Sequence, residues 1–131
     1  MNLTKTLVAY IETGLLYMFF DLLMLNKVAP KFYKRNLGHL MAQKPNLTAA
    51  AVFYFIYAAG LMVLAIVPAI DIGSLAHALS YGAMVGLVAY GTFDLTSQAL
   101  FKNWPTKITV LDIIWGIVVS SVVAVFIYLL H

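Results

Sequence analysis

With 131 residues, 63% of them hydrophobic and only 10% charged, the chain is too short and too apolar to hide its surface in a water-facing core; soluble domains average about 45–50% apolar and 25% charged. The length allows one domain, residues 1–131. The absence of cysteine excludes disulfides, thiolate metal sites, iron–sulfur ligation and palmitoylation. The excess apolar surface must face lipid, and each crossing of about 30 Å of hydrocarbon needs roughly 20 apolar residues.

The first apolar run, near Thr6–Leu25, is too long for a secretory signal, carries Glu12 and Asp21, and lacks a small-x-small cleavage site, so it reads as a retained span. A loop with Lys27, Lys31, Lys34, Arg35 and Lys44 follows. Within it Tyr33, Leu37, Leu40 and Met41 recur at helical spacing opposite Lys34, Arg35, His39 and Gln43, the pattern of an amphipathic helix lying in the membrane interface. Its cations Lys31, Lys34 and Arg35 are placed to meet anionic headgroups. After Pro45, Asn46 or Thr48 caps a second span near Thr48–Ile70. Pro68, Asp71 and Gly73 read as an external turn. A third span runs near Ala76–Phe101, a second basic loop holds Lys102 and Lys107, and a fourth span runs near Ile108–Leu130. Tyr33 and Trp104 read as interfacial anchors. The predicted fold is all-α, a transmembrane four-helix bundle with a cytoplasmic amphipathic interfacial helix between the first two spans.

Seven of the eight basic residues share one side of this arrangement, with Lys5 alone on the other. The positive-inside rule then puts both basic loops in the cytoplasm and both termini outside. A local echo accompanies this topology, because Tyr17-x-x-Phe20-Asp21-Leu22 recurs as Tyr90-x-x-Phe93-Asp94-Leu95. Each copy precedes a basic, proline-containing loop and a returning helix, which points to two hairpins related by an axis along the membrane normal.

An ionisable residue inside a span costs about 2.5–3.5 kcal/mol at the helix centre and is by default a functional-site hypothesis. Asp21, Asp94 and Asp112 all fall in the cytoplasmic half. Gly82, Gly86, Tyr90, Asp94 and Gln98 form one ridge at spacings of four, and Asp112, Gly116 and Ser120 another. Small residues allow close approach, so the ridges are expected to enclose a polar pocket, with Thr13, Tyr17 and Asp21 added from the first helix. The competing reading has Asp21 and Asp112 paired with Lys27, Lys102 or Lys107 at the interface. Glu12 lies near mid-bilayer on the opposite face of its helix from Asp21, as a locally paired acid or as an interface or coupling acid between subunits. His39, His77 and His131 are far apart in topology and form no metal site.

The stretch Tyr90-Gly-Thr-Phe-Asp94-Leu-Thr96-Ser-Gln-Ala-Leu-Phe-Lys102-Asn-Trp104-Pro105, followed by Asp112-x-x-Trp115-Gly116, resembles a bacterial family of small predicted membrane proteins catalogued as a domain of unknown function. That family carries Tyr-Asp-Leu-Thr-Asn near the end of its third span, then Lys-x-Trp-Pro, then Asp-x-x-Trp-Gly. The chain departs from the pattern at Phe93, Ser97 and Met24, where the family favours tyrosine, asparagine and tryptophan. The resemblance covers essentially the whole chain and implies that Thr96, Lys102 and Trp115 belong with Asp21, Asp94 and Asp112. It also implies a bacterial inner (cytoplasmic) membrane. It implies no activity.

Three functions fit: a small transporter or channel using the carboxylate cluster, a membrane enzyme or lipid-handling protein at the cytoplasmic headgroups, and a structural or accessory subunit. No nucleotide loop, hydrolase elbow or zinc-protease motif accompanies the acids, so the enzyme reading has no catalytic residues to name. The expected partners are the bilayer, anionic lipids and further copies of the chain, with no nucleic acid, cofactor or metal. The orientation is directly testable on a cysteine-free background. Cysteines at Lys34 and Asn103 should resist a membrane-impermeant thiol reagent in intact cells while one at Gly73 reacts; the reverse labelling would invert the topology.

Overall fold

A computed structural model describes residues 1–131 as five helices with no strand: α1 (Leu3–Val28), α2 (Pro30–Leu37), α3 (Leu47–Ile72), α4 (Leu75–Leu100) and α5 (Thr106–Leu130). Each boundary has a local cause. Asn2 caps α1 by accepting from the Lys5 amide at 2.8 Å, Asn46 caps α3 through the Ala49 amide at 3.0 Å, and Ser74 caps α4 through the His77 amide at 3.0 Å. Gly73 ends α3 in the left-handed conformation, with φ 67°. Pro30 occupies the first turn of α2, where its missing N–H costs nothing.

Two expectations need correction. Pro68 and Asp71 lie inside α3 rather than in a turn, which Gly73 alone makes. Proline lacks an N–H and its ring crowds the preceding turn, and the helix accommodates it by widening into a π turn over Met62–Ile66 just before it. The amphipathic helix also stops at Leu37, leaving Leu40 and Met41 exposed in the turn beyond it. Gly38 disfavours helix continuation, by about 1 kcal/mol relative to alanine.

Three helices, α1, α3 and α5, are long and apolar enough to cross a membrane. α4 is as long, with 26 residues, but Ser80, Gly82, Gly86, Gly91, Thr92 and Asp94 dilute its apolarity. The outer surface is largely apolar, with Ile11, Phe55, Val63 and Leu129 all more than 60% exposed, and suits lipid rather than water. Inside, Tyr17, Tyr57, Leu61, Ile66, Val119 and Ile127 form the main core. Met24, Tyr33 and Ile108 form a smaller one, flanked by Trp104 and Trp115.

α4 and α5 approach so closely that glycine is required. A Cβ on Gly82 would stand 2.8 Å from the Ala124 Cβ and 2.9 Å from the Ser120 carbonyl oxygen. One on Gly86 would overlap the Gly116 backbone, and one on Gly116 would overlap the Tyr90 ring. Gly60 meets nothing within 4 Å. Gly86→Ala should therefore lower stability in detergent by about 1–3 kcal/mol, the usual cost of overpacking, whereas Gly60→Ala should leave the thermal midpoint unchanged or raise it slightly. Equal midpoints for the two variants would contradict the close packing.

Candidate functional site

Close packing of α4 on α5 brings Asp94 against Asp112. Asp94 is fully buried, at 0% exposure, and its carboxyl lies close enough to that of Asp112 for the two to interact directly. No N–H or O–H of the protein donates to either Asp94 oxygen. Asp112 is half-buried and accepts from the Tyr33 phenol of α2 at 3.1 Å. Asp21, also half-buried and near enough to interact with Asp112, accepts from the Tyr54 phenol of α3 at 2.6 Å. The Trp115 indole stands beside Asp21, but its N–H completes no hydrogen bond of normal geometry.

Tyrosines wall this acidic centre. Tyr17 and Tyr90 share a hydrogen bond between their phenols, and Tyr57 shares one with Ser120. The Tyr17 ring lies 4.5 Å from that of Tyr57 and 5.9 Å from that of Tyr54, centroid to centroid. Burial, and next the charge of Asp112, push the Tyr33 phenol above its ordinary range. Tyr33 therefore keeps its proton, and with it its donor role, at neutral pH.

None of the three acids forms an ion pair. The only salt bridge in the chain joins His131 to Glu12 at 2.7 Å, away from the cluster. Lys27, Lys102 and Lys107 are exposed. Glu12 thus has a partner within its own chain, at the terminal end of α5.

The structure brings together Asp21, Asp94, Asp112, Tyr90 and Trp115, and leaves the other expected members outside. Thr96 is exposed and donates to the backbone of its own helix. Gln98 donates to Thr106 at 2.8 Å near the α4–α5 turn, and Lys102 is in that turn. Thr13 is buried but donates to the Ala9 carbonyl at 2.7 Å, so it adds no hydroxyl to the acids. Tyr33 is 8% exposed and bonded to Asp112, so it is part of the wall rather than an interfacial anchor. Tyr54 and Tyr57 escape any reading of charge. Their signal is a tyrosine pair three residues apart on one face of an otherwise apolar helix.

Residues 6–129 match the family model described as "Predicted membrane protein (DUF2177)", and the chain belongs to that family. No curated protein and no solved structure matches it.

The donor to Asp21 supplies a test of the cluster's electrostatics. A hydrogen bond to an ionised group contributes about 1.5–3 kcal/mol and one to a neutral acceptor about 0.5–1.5 kcal/mol. Tyr10 donates to the Phe55 carbonyl at 2.8 Å and serves as the neutral reference. Tyr54→Phe should therefore destabilise the protein more than Tyr10→Phe, by about 1 kcal/mol in thermal unfolding. Equal losses would mean that Asp21 carries no charge.

Proposed function

We propose that this member of a predicted membrane protein family is a small multi-pass transporter, moving a small solute or ion by way of the Asp21, Asp94 and Asp112 cluster. The observation that carries the reading is Asp94, a fully buried carboxyl with no donor and no counter-ion from the protein. Burying such a group uncompensated is costly, and intramembrane acids that stay unpaired mark ion or substrate pathways. An accessory role for the acids would predict lysine partners, and the lysines lie elsewhere.

The architecture we infer for that role is a transmembrane four-helix bundle in which α4 crosses with its neighbours. Its 26 residues rise about 39 Å, enough to span the hydrocarbon. Its glycines pack along α5 from Gly82 beside Ala124 to Gly86 beside Gly116, so a membrane-crossing α5 carries α4 across with it. The seven-to-one basic bias supports a bacterial inner-membrane orientation with both termini outside and the acids in the cytoplasmic half. α2 then lies at the cytoplasmic interface, where exposed Lys31, Lys34 and Arg35 suit anionic headgroups. Those same cations favour a second reading, a lipid-handling protein in which a headgroup docks on α2. A transport pathway through a bundle this small is readily completed by further copies of the chain.

Reconstituted protein should transport at least one member of a solute and ion panel in proteoliposomes, and Asp94→Asn should lower that flux at least tenfold while Tyr10→Phe leaves it unchanged. A flux that survives Asp94→Asn would remove Asp94 from the pathway.

A further inference from the structure

The transport reading leaves open which charge neutralises the buried acids, and the hydrogen-bond pattern narrows that choice. Each phenol of the wall is committed: Tyr17 to Tyr90, Tyr57 to Ser120, Tyr54 to Asp21 and Tyr33 to Asp112. Asp94 alone among the acids receives no donor. Two facing carboxylates in a poorly solvated interior repel one another, so one charge between them must be cancelled.

A resident metal ion fits poorly. Magnesium asks for octahedral oxygen ligation and calcium for six to eight oxygens, but no three acidic or imidazole side chains converge closely enough to share one. The neighbouring phenolic oxygens already bond one another. No lysine or arginine reaches the pair. A proton needs only the two facing oxygens.

We propose that Asp94 and Asp112 hold one exchangeable proton between them, with the Asp94 carboxyl O–H donating to the Asp112 carboxylate, and that Tyr33 on α2 is the cytoplasmic gate to it. The inference rests on the transport reading and names the transported or coupling species as a proton. The donors assign the two roles. Asp112 already accepts from Tyr33 and is the carboxylate, whereas Asp94 has no donor and is the acid. Asp21, Tyr33 and Tyr90 are the other titratable groups around the pair.

Release balances without any further reactant than water. When Tyr33 withdraws, a water molecule takes its place on Asp112. Asp94 passes its proton to Asp112, which passes it on to that water as hydronium and leaves both side chains as carboxylates. Recapture of a proton restores the pair. Tyr33 touches Asp112 from a helix of only eight residues, whose cations Lys31, Lys34 and Arg35 are exposed and whose Asn36 donates to the Phe32 carbonyl of the same helix. Opening therefore requires the loss of one phenol–carboxylate bond and a small apolar contact with Met24 and Ile108.

Infrared spectroscopy on the full-length protein in liposomes tests both parts, with aspartate carbon-13-labelled at its side-chain carboxyl. A protonated-carboxyl C=O band sensitive to the label is expected at neutral pH, retained in Asp21→Asn and lost in Asp94→Asn. Asp94→Glu guards against misfolding, because it should restore a protonated band that no longer responds to labelled aspartate. Tyr33→Phe should keep the band but speed its exchange in deuterium oxide about tenfold, the effect of removing one hydrogen bond to a charged group. Absence of the band in the wild type, or its survival in Asp94→Asn, overturns the shared proton. An exchange rate in Tyr33→Phe equal to that of the wild type overturns the gate. The two readings fail separately: Asp94-dependent flux without the band would mean that the site takes another cation, and the band without any flux would leave a proton site in a protein that does not transport.

Discussion

The contact between α4 and α5 sets the position of everything polar in the interior. Three glycines allow it, Gly82, Gly86 and Gly116, and each is packed where a methyl group would collide with backbone or with the Tyr90 ring. In a bilayer no hydrophobic drive holds helices together, so close packing of small residues and hydrogen bonds between helices do that work. The same approach that makes the helices adhere also presses Asp94 against Asp112. Widening it would give the acids room for water and would remove the shelf on which Tyr90 reaches Tyr17. The packing of the helices and the placement of the buried acids therefore depend on one surface.

Around that surface the chain surrounds its acids with phenols and not with cations. A lysine beside Asp94 would neutralise it permanently, forming a buried pair that is costly to desolvate and costly to break. A phenol donates one hydrogen bond, remains neutral and can be withdrawn. Tyr33 and Tyr54 arrive from α2 and α3, so two of the three carboxylates depend on elements other than the two that carry Asp94 and Asp112. Motion of α2 alone would change the environment of Asp112 without disturbing the α4–α5 contact. The basic residues meanwhile stay exposed on the exterior, away from the acids.

Much of this was legible in the sequence, for identifiable reasons. Helix positions follow from long apolar runs, from Asn46, one of the few residue types favoured at a helix start, and from Gly73, which takes the left-handed conformation that ends the second span. The glycine ridge at spacings of four predicts which faces of α4 and α5 meet, and Asp94 and Asp112 follow from it. The pattern failed where a residue had a local alternative. Thr13, Thr96 and Gln98 share a helical face or a motif with the acids, but each hydroxyl or amide finds a nearer partner in its own helix or turn. Tyr33 misleads for the opposite reason: an aromatic in a basic loop suits the interface by composition, and only the fold shows that α2 turns it inward onto Asp112.

The echo between the two hairpins shows how a site can arise from a repeated plan. Tyr17 and Tyr90 occupy equivalent places in the echoed segments and meet phenol to phenol. Asp21 and Asp94 are the next equivalent pair, and their surroundings differ. In the first hairpin the returning helix α3 offers Asp21 a phenol, Tyr54. In the second the returning helix α5 offers Asp94 another carboxyl, Asp112. One acid is thereby given a donor by the protein and the other is not, although both hold the same position in the echoed sequence. A donor on one side and an acid on the other leaves Asp21 with a hydrogen bond and Asp94 without one, and that single asymmetry is what sets Asp94 apart from its counterpart.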